Sequence, residues 1–272
     1  MLIDMHLHTR RSRDSTLSFP DAVEAARKAG VDAICVTDHG RFTSEQEIAE
    51  MTARTGFLIF GGAEMNTALG HFLVYDVPST VSWSLDRELL LGRLKSLERE
   101  IQSAPSLPLS HLDSRLTRVL DLEAGHLVRE VHAAGGAVIW AHPMDHWSSL
   151  RKWFNKFADE HGATEMREFI RWLGENDETS WWPDLITQLD GIEVLNGSTK
   201  RRGVCNLLAL QLADHFGKPG TGGSDAHQCA AVARAVTRFD AEPGIGLKIG
   251  ELLRGANPGA VALQPVPAPR AR

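Results

Sequence analysis

Two pairs of metal-type donors, each pair two residues apart, stand near opposite ends of the 272-residue chain: His6 and His8 in MLIDMHLHT, Asp225 and His227 in TGGSDAH. Between them come His39 in VTDHG, Glu64 in FGGAEM, His71 in ALGHFLV and His142 in AVIWAHP. Side chains at i and i+2 of a strand leave the same face, so both imidazoles of the HxH pair point one way. A lone histidine at a strand end is usually a satisfied polar residue, and HxH alone is a weak signal. Two such pairs, with two further strand-end histidines and a carboxylate between them, are hard to explain as packing. Imidazoles and carboxylates are costly to bury without partners, and a metal cluster satisfies all of them together. Imidazole and carboxylate without thiolate suit zinc, manganese or iron rather than a soft metal. The other six histidines (His111, His126, His132, His146, His161, His215) fall in helical or intervening sequence and read as structural or solvated.

The elements that must position these donors follow from apolar patterning. Short β-branched or apolar runs alternate with helical stretches, with no internal repeat, which predicts βα units around one parallel sheet. Strands are expected at 1–5, 32–37, 57–61, 71–77, 137–141, 191–195 and 218–221, and helices at 21–29, 44–53, 85–101, 121–134, 203–215 and 247–253. In a parallel barrel the C-terminal strand ends converge on one mouth, and each donor stands at or near such an end. Residues 143–190 hold five of the seven tryptophans with ten acidic and five basic residues, which predicts a helical insertion in a barrel loop. A small satellite core with a solvated face is its expected role, and a lid or contact surface the alternative. One barrel domain over 1–263 is expected, and the Pro/Ala/Arg tail over 264–272 is expected to be disordered.

Composition narrows the class. The chain is 43% hydrophobic and 24% charged, as in a soluble globular protein with a sizeable core, which excludes a disordered or collagenous chain. Its apolar runs are too short to cross a bilayer, and an N-terminus with Asp4, His6 and His8 lacks a signal peptide's apolar stretch. Cys35, Cys205 and Cys229 are odd in number and widely spaced, fitting neither a disulfide framework nor a zinc–thiolate site. A cytoplasmic location is expected. A net charge of −6 argues against a platform for duplex nucleic acid, whose binding draws on phosphate neutralisation. A small phosphorylated substrate needs only local positive charge, for which Arg10, Arg11, Lys200, Arg201 and Arg202 near the mouth are candidates, with Asn196 at the same barrel end.

The ordered run HLHT, VTDHG, GGAEM, GHFLV, AHP, DGIEVLNG and GGSDAH resembles the PHP (polymerase and histidinol phosphatase) family over about residues 1–255, insertions excepted. The resemblance implies a distorted (β/α)7 barrel with a two- or three-metal site that hydrolyses phosphoesters. It implies His6, His8, Glu64 and Asp225 on one metal, Asp14, His39 and His227 on a second, and His71 and His142 on a third with Glu64 bridging. The stretch RRSRDSTLS is one residue longer than the family's SDGTLSP-like run and has Ser for Gly, with Asp14 as its matching ligand. Asp38, beside His39, reads as a partner of a ligand rather than a ligand. A small phosphomonoester, nucleotide or short oligonucleotide is the expected substrate, cleaved by metal-activated water without a Ser, Cys or Asp nucleophile. A histidinol-phosphate phosphatase ranks second, because TDH and the seven-residue step from Glu64 to His71 differ from that group's TEH-like, longer-spaced motifs. An amidohydrolase would carry a metal-bridging Lys on a middle strand, which these motifs lack. A metal-stabilised, non-catalytic interaction module would be favoured by lost ligands, and almost all are present.

Overall fold

Local signals punctuate the first helices. In α1 (Phe19–Ala29) the Ser18 side chain accepts from the Asp21 N–H, proline occupies the first turn, and Gly30 closes the helix in the left-handed conformation at φ 76°. α2 (Glu45–Thr55) opens on a Ser44/Glu47 capping box and closes on Gly56. These helices follow β1 (Leu2–Leu7) and β2 (Ala33–Val36) and return the chain to β3 (Leu58–Thr67). The result is three parallel neighbours, β1–β2–β3.

The computed structural model describes residues 1–78 and 123–263, apart from 147, 163–164, 177 and 199–201, together with 95–96, 98–99 and 102–103. The helix expected at 85–101 and the tail after 263 lie outside the described residues, save for the short pieces 95–96 and 98–99. The remaining strands are β4 (Gly70–Tyr75), β5 (Ala137–Trp140), β6 (Gly191–Asn196), β7 (Gly220–Gly223), β8 (Ala235–Arg238) and β9 (Gly259–Ala262). The remaining helices are α3 (Ala124–Ala133), α4 (Ser149–His161), α5 (Met166–Glu175), α6 (Trp182–Gln188), α7 (Arg202–Phe216) and α8 (Ile249–Gly255).

The sheet runs β7-β6-β5-β4-β3-β2-β1-β8-β9. It curls until the exit of β7 meets β1: the Asp225 N–H donates to the His6 carbonyl at 2.6 Å and the His8 N–H to the Ala226 carbonyl at 2.9 Å. This is the nearly closed α/β barrel expected, but its sheet is not wholly parallel. β4 is antiparallel to both β3 and β5, and β8 is antiparallel to β1. Between β3 and β4 the cause is the tight turn at Thr67–Gly70, with Gly70 at φ 126°, which is too short for the crossover that parallel neighbours need.

The segment expected to be an insertion is helical, as α4, α5 and α6, but its core is not a satellite. Phe154, Phe157, Phe169, Leu173 and Trp182 pack in one continuous cluster with Phe72, Val138 and Trp140 of the barrel strands. α5 drives this with buried Met166, Phe169, Ile170 and Leu173 at one helical face. Among the described residues no helix is long and apolar enough to cross a membrane.

Candidate metal centre

β1 is buried on both faces beyond its first residue, so His6 within it, and the buried His8 just past its end, must find partners inside the protein. His6 Nδ1 lies 2.9 Å from Glu193 Oε1, which leaves its Nε2 pointing inward, 3.1 Å from Nε2 of His8. His8 Nδ1 lies 3.1 Å from Ser12 Oγ, and that hydroxyl donates to Asp38 Oδ1 at 2.8 Å. Asp38 also accepts from the Thr9 amide and hydroxyl, both at 2.7 Å. Asp38 thus acts on the His8 ring through Ser12, whose hydroxyl also accepts from the His39 amide at 3.0 Å.

Glu64 is the hub, 1% exposed. Its oxygens lie 2.8 Å from His71 Nδ1, 3.0 Å from His39 Nδ1, 3.1 Å from His142 Nε2, 3.2 Å from His8 Nε2 and 3.5 Å from His6 Nε2. Burial pushes this carboxyl's pKa up, but the charges of His71 and His6 and a hydrogen bond from His142 carry it well below the ordinary range. Asp225 is likewise pulled down, chiefly by His6 and His8, against its burial. Burial pushes His8 and His142 down, yet their acidic partners, Asp225 and Glu64 for His8 and Glu64 for His142, lift both to about 9. His6 rises well above its usual value for the same reason, with Glu193, Glu64 and Asp225 outweighing desolvation.

Three sets of donors converge among the described residues, each with ligand atoms within 4.8 Å of one another: His8/His39/His227, His6/His8/Asp225 and His6/Glu64/His142. Asp14 Oδ2 lies 3.3 Å from Nε2 of both His39 and His227, placing it over the first set. The residues fit divalent cations on independent grounds. His39 Nδ1 is buried yet makes no hydrogen bond, despite lying 3.0 Å from Glu64. The Nε2 atoms of His6 and His8 also face each other with both Nδ1 atoms already engaged. Two donors sit on strained backbone, His142 at φ 28° and Asp225 at φ 51°, each pinned by its own amide: His142 N–H to Glu193 Oε2 and Asp225 N–H to the His6 carbonyl.

All nine donors named from the sequence therefore gather at one mouth. The phosphate-gripping candidates are less uniform. Arg11 is paired with Glu47 and reaches Thr43 at 3.3 Å, and Arg10 Nε donates to the Thr16 carbonyl at 3.1 Å. Asn196 is buried and donates through Nδ2 to Glu193 at 3.0 Å and Asp225 at 3.3 Å, so it braces donors. Lys200, Arg201 and the side chain of Arg202 lie outside the described residues. Glu193 and Asp4 escaped the sequence reading. Asp4 accepts from the Ser224 and Ala233 amides at 2.8 Å, and burial raises it to about 6. Each is the lone carboxylate of a buried strand, and that is the signal that could have found them.

A mixed α/β barrel with this donor set at its mouth defines a metal-dependent hydrolase. The PHP domain model matches residues 4–166 and a PHP-associated model matches 205–254; the chain belongs to the PHP domain family. A DNA polymerase III of the PolC type from Lacticaseibacillus paracasei is 26% identical over 144 residues, 44% of this chain and only 10% of the polymerase. A Bifidobacterium adolescentis protein solved as a candidate metal-dependent phosphoesterase shares the fold at TM-score 0.51 and 18% identity, covering 83% of this chain and 87% of that one. Endonuclease Q, solved with a 27-mer duplex carrying an abasic lesion at the active site, shares it at TM-score 0.51 and 15% identity, over 94% of this chain and 57% of that one. These findings overturn the exclusion of duplex nucleic acid drawn from the acidic balance. Net charge is a sum over the whole surface, whereas a phosphate backbone is met by the local charges of a site.

Proposed function

We propose that the chain hydrolyses phosphoesters with two or three divalent ions of zinc, manganese or iron. Their ligands would be His6, His8, Asp14, His39, Glu64, His71, His142, Asp225 and His227. The observation that carries this reading is a single buried carboxylate, Glu64, faced by five imidazoles whose donor sets adjoin one another. Such ions, when bound, lower the pKa of a water and neutralise charge on a phosphate. The chain's own residues supply the rest. His6, His8 and Glu64 form a buried floor, while Asp14 is 57% exposed and opens the rim to a substrate. Small phosphomonoesters, nucleotides and oligonucleotides are all candidate substrates.

Purified, metal-analysed protein should be screened against phosphomonoesters, mononucleotides, and single- and double-stranded oligonucleotides. Release of phosphate or nucleotide is expected, abolished by EDTA and restored by Mn²⁺ or Zn²⁺. Undiminished release from protein shown by elemental analysis to be metal-free would refute the mechanism.

A further inference from the structure

Glu193 sits in the middle of β6 and is 1% exposed, and its ion-pair partner among the described residues is His6. Its two oxygens divide their work. Oε1 accepts from His6 Nδ1 at 2.9 Å. Oε2 accepts from the backbone N–H of His142 at 2.9 Å and from Asn196 Nδ2 at 3.0 Å, and the same Nδ2 reaches Asp225 at 3.3 Å. One carboxylate therefore touches β1, the exit of β5 and, through Asn196, the exit of β7. The donors at those places, His6, His142 and Asp225, make up most of two of the three donor sets.

We propose that Glu193 is the positioning residue for these two sets: it keeps the His6 proton on Nδ1 and holds the left-handed backbone of His142, so that both Nε2 lone pairs face Glu64. This rests on the metal-centre reading given above. The surroundings leave little freedom for another arrangement. A Cβ at Gly223 would lie 2.3 Å from His6 Cβ and 2.9 Å from Glu193 Oε1, so the approach of β7 itself clamps the pair.

The isosteric change Glu193→Gln separates this role from packing. An amide has one acceptor oxygen and one NH₂ donor. If its oxygen faces His6, its NH₂ opposes the His142 N–H and the Asn196 amide. If its NH₂ faces His6, the imidazole proton must move to Nε2, the atom needed for metal. The first arrangement leaves two buried donors facing a donor, and the second removes the His6 Nε2 lone pair from the metal.

Zinc titration of the Glu193→Gln chain, read by a competing chromophoric chelator, should show affinity weakened about 10- to 100-fold for the sites served by His6 and His142. The site of His8, His39 and His227 should keep its affinity. In zinc-loaded wild-type protein, ¹⁵N NMR should find the His6 proton on Nδ1. Glu193→Gln binding zinc as wild type does, or a His6 proton found on Nε2 in the loaded wild type, would overturn the assignment of Glu193 while leaving the metal centre intact. A wild-type chain that binds no divalent metal would overturn the underlying reading instead.

Discussion

Replacing Glu64 by glutamine removes one negative charge from the centre of five imidazoles without changing its shape. The consequence is clearest at His142, whose pKa stands at about 9 against an ordinary 6.5. Burial alone would push that imidazole down, and the hydrogen bond and charge of Glu64, 3.1 Å away, lead the influences that lift it. A fall from about 9 to about 6.5 corresponds to about 3 kcal/mol of lost preference for the charged ring. In metal-free protein, NMR titration of His142 should therefore find Glu64→Gln titrating near or below 6.5, with circular dichroism unchanged. After metal loading the same variant should hold fewer ions per chain than His71→Ala, since His71 contacts Glu64 from the half-exposed rim. His142 still titrating near 9 in the variant, or Glu64→Gln retaining as much metal as His71→Ala, would refute the reasoning.

Stability of the metal-free chain should depend on pH in a defined window. His8 and His142 sit near 9, so the stability they contribute is complete below 6.5 and is lost as pH rises through 9. Glu64 and Asp225 are depressed from 4.5 and 3.8, so their contribution is present above those values and lost as pH falls below them. EDTA-treated protein should melt at a higher temperature at pH 6 than at pH 9.5, and the reverse order would count against the cluster's charge pattern. Metal affinity should rise over the same interval, because each bound ion displaces imidazole protons. Away from the site, Asp76 accepts from the Ile249 and Gly250 amides at 3.2 and 2.7 Å and caps α8. Asp76→Ala should cost about 1–2 kcal/mol in urea denaturation, with the hydrolysis rate unchanged.

The donors were legible because strand alternation is a local rule. His6 and His8 needed only the i, i+2 relation to be placed on one face, and their Nε2 atoms do meet at 3.1 Å. What the sequence hid depends on contacts between distant segments. Glu64 lies inside the ten-residue β3 rather than beyond its end, because Gly61 and Gly62 masked the strand. Gly62 is required there: a Cβ would lie 2.8 Å from both the Tyr75 ring and the Val74 carbonyl. The antiparallel β3–β4 pairing follows from a turn that the apolar alternation does not announce. Glu193 finds its partner 187 residues away, and no window along the chain contains both. β8 and β9, four residues each, are too short for periodicity to mark.

These nine side chains are proposed to hold adjoining divalent ions. A crystal structure of the manganese- or zinc-loaded protein, with anomalous scattering collected on both sides of the metal edge, tests it most directly. Two or three anomalous peaks are expected, lying among His8/His39/His227, His6/His8/Asp225 and His6/Glu64/His142, with Glu64 touching more than one. Loaded crystals with no peak in this cluster, or with ions bound only elsewhere on the protein, would contradict it.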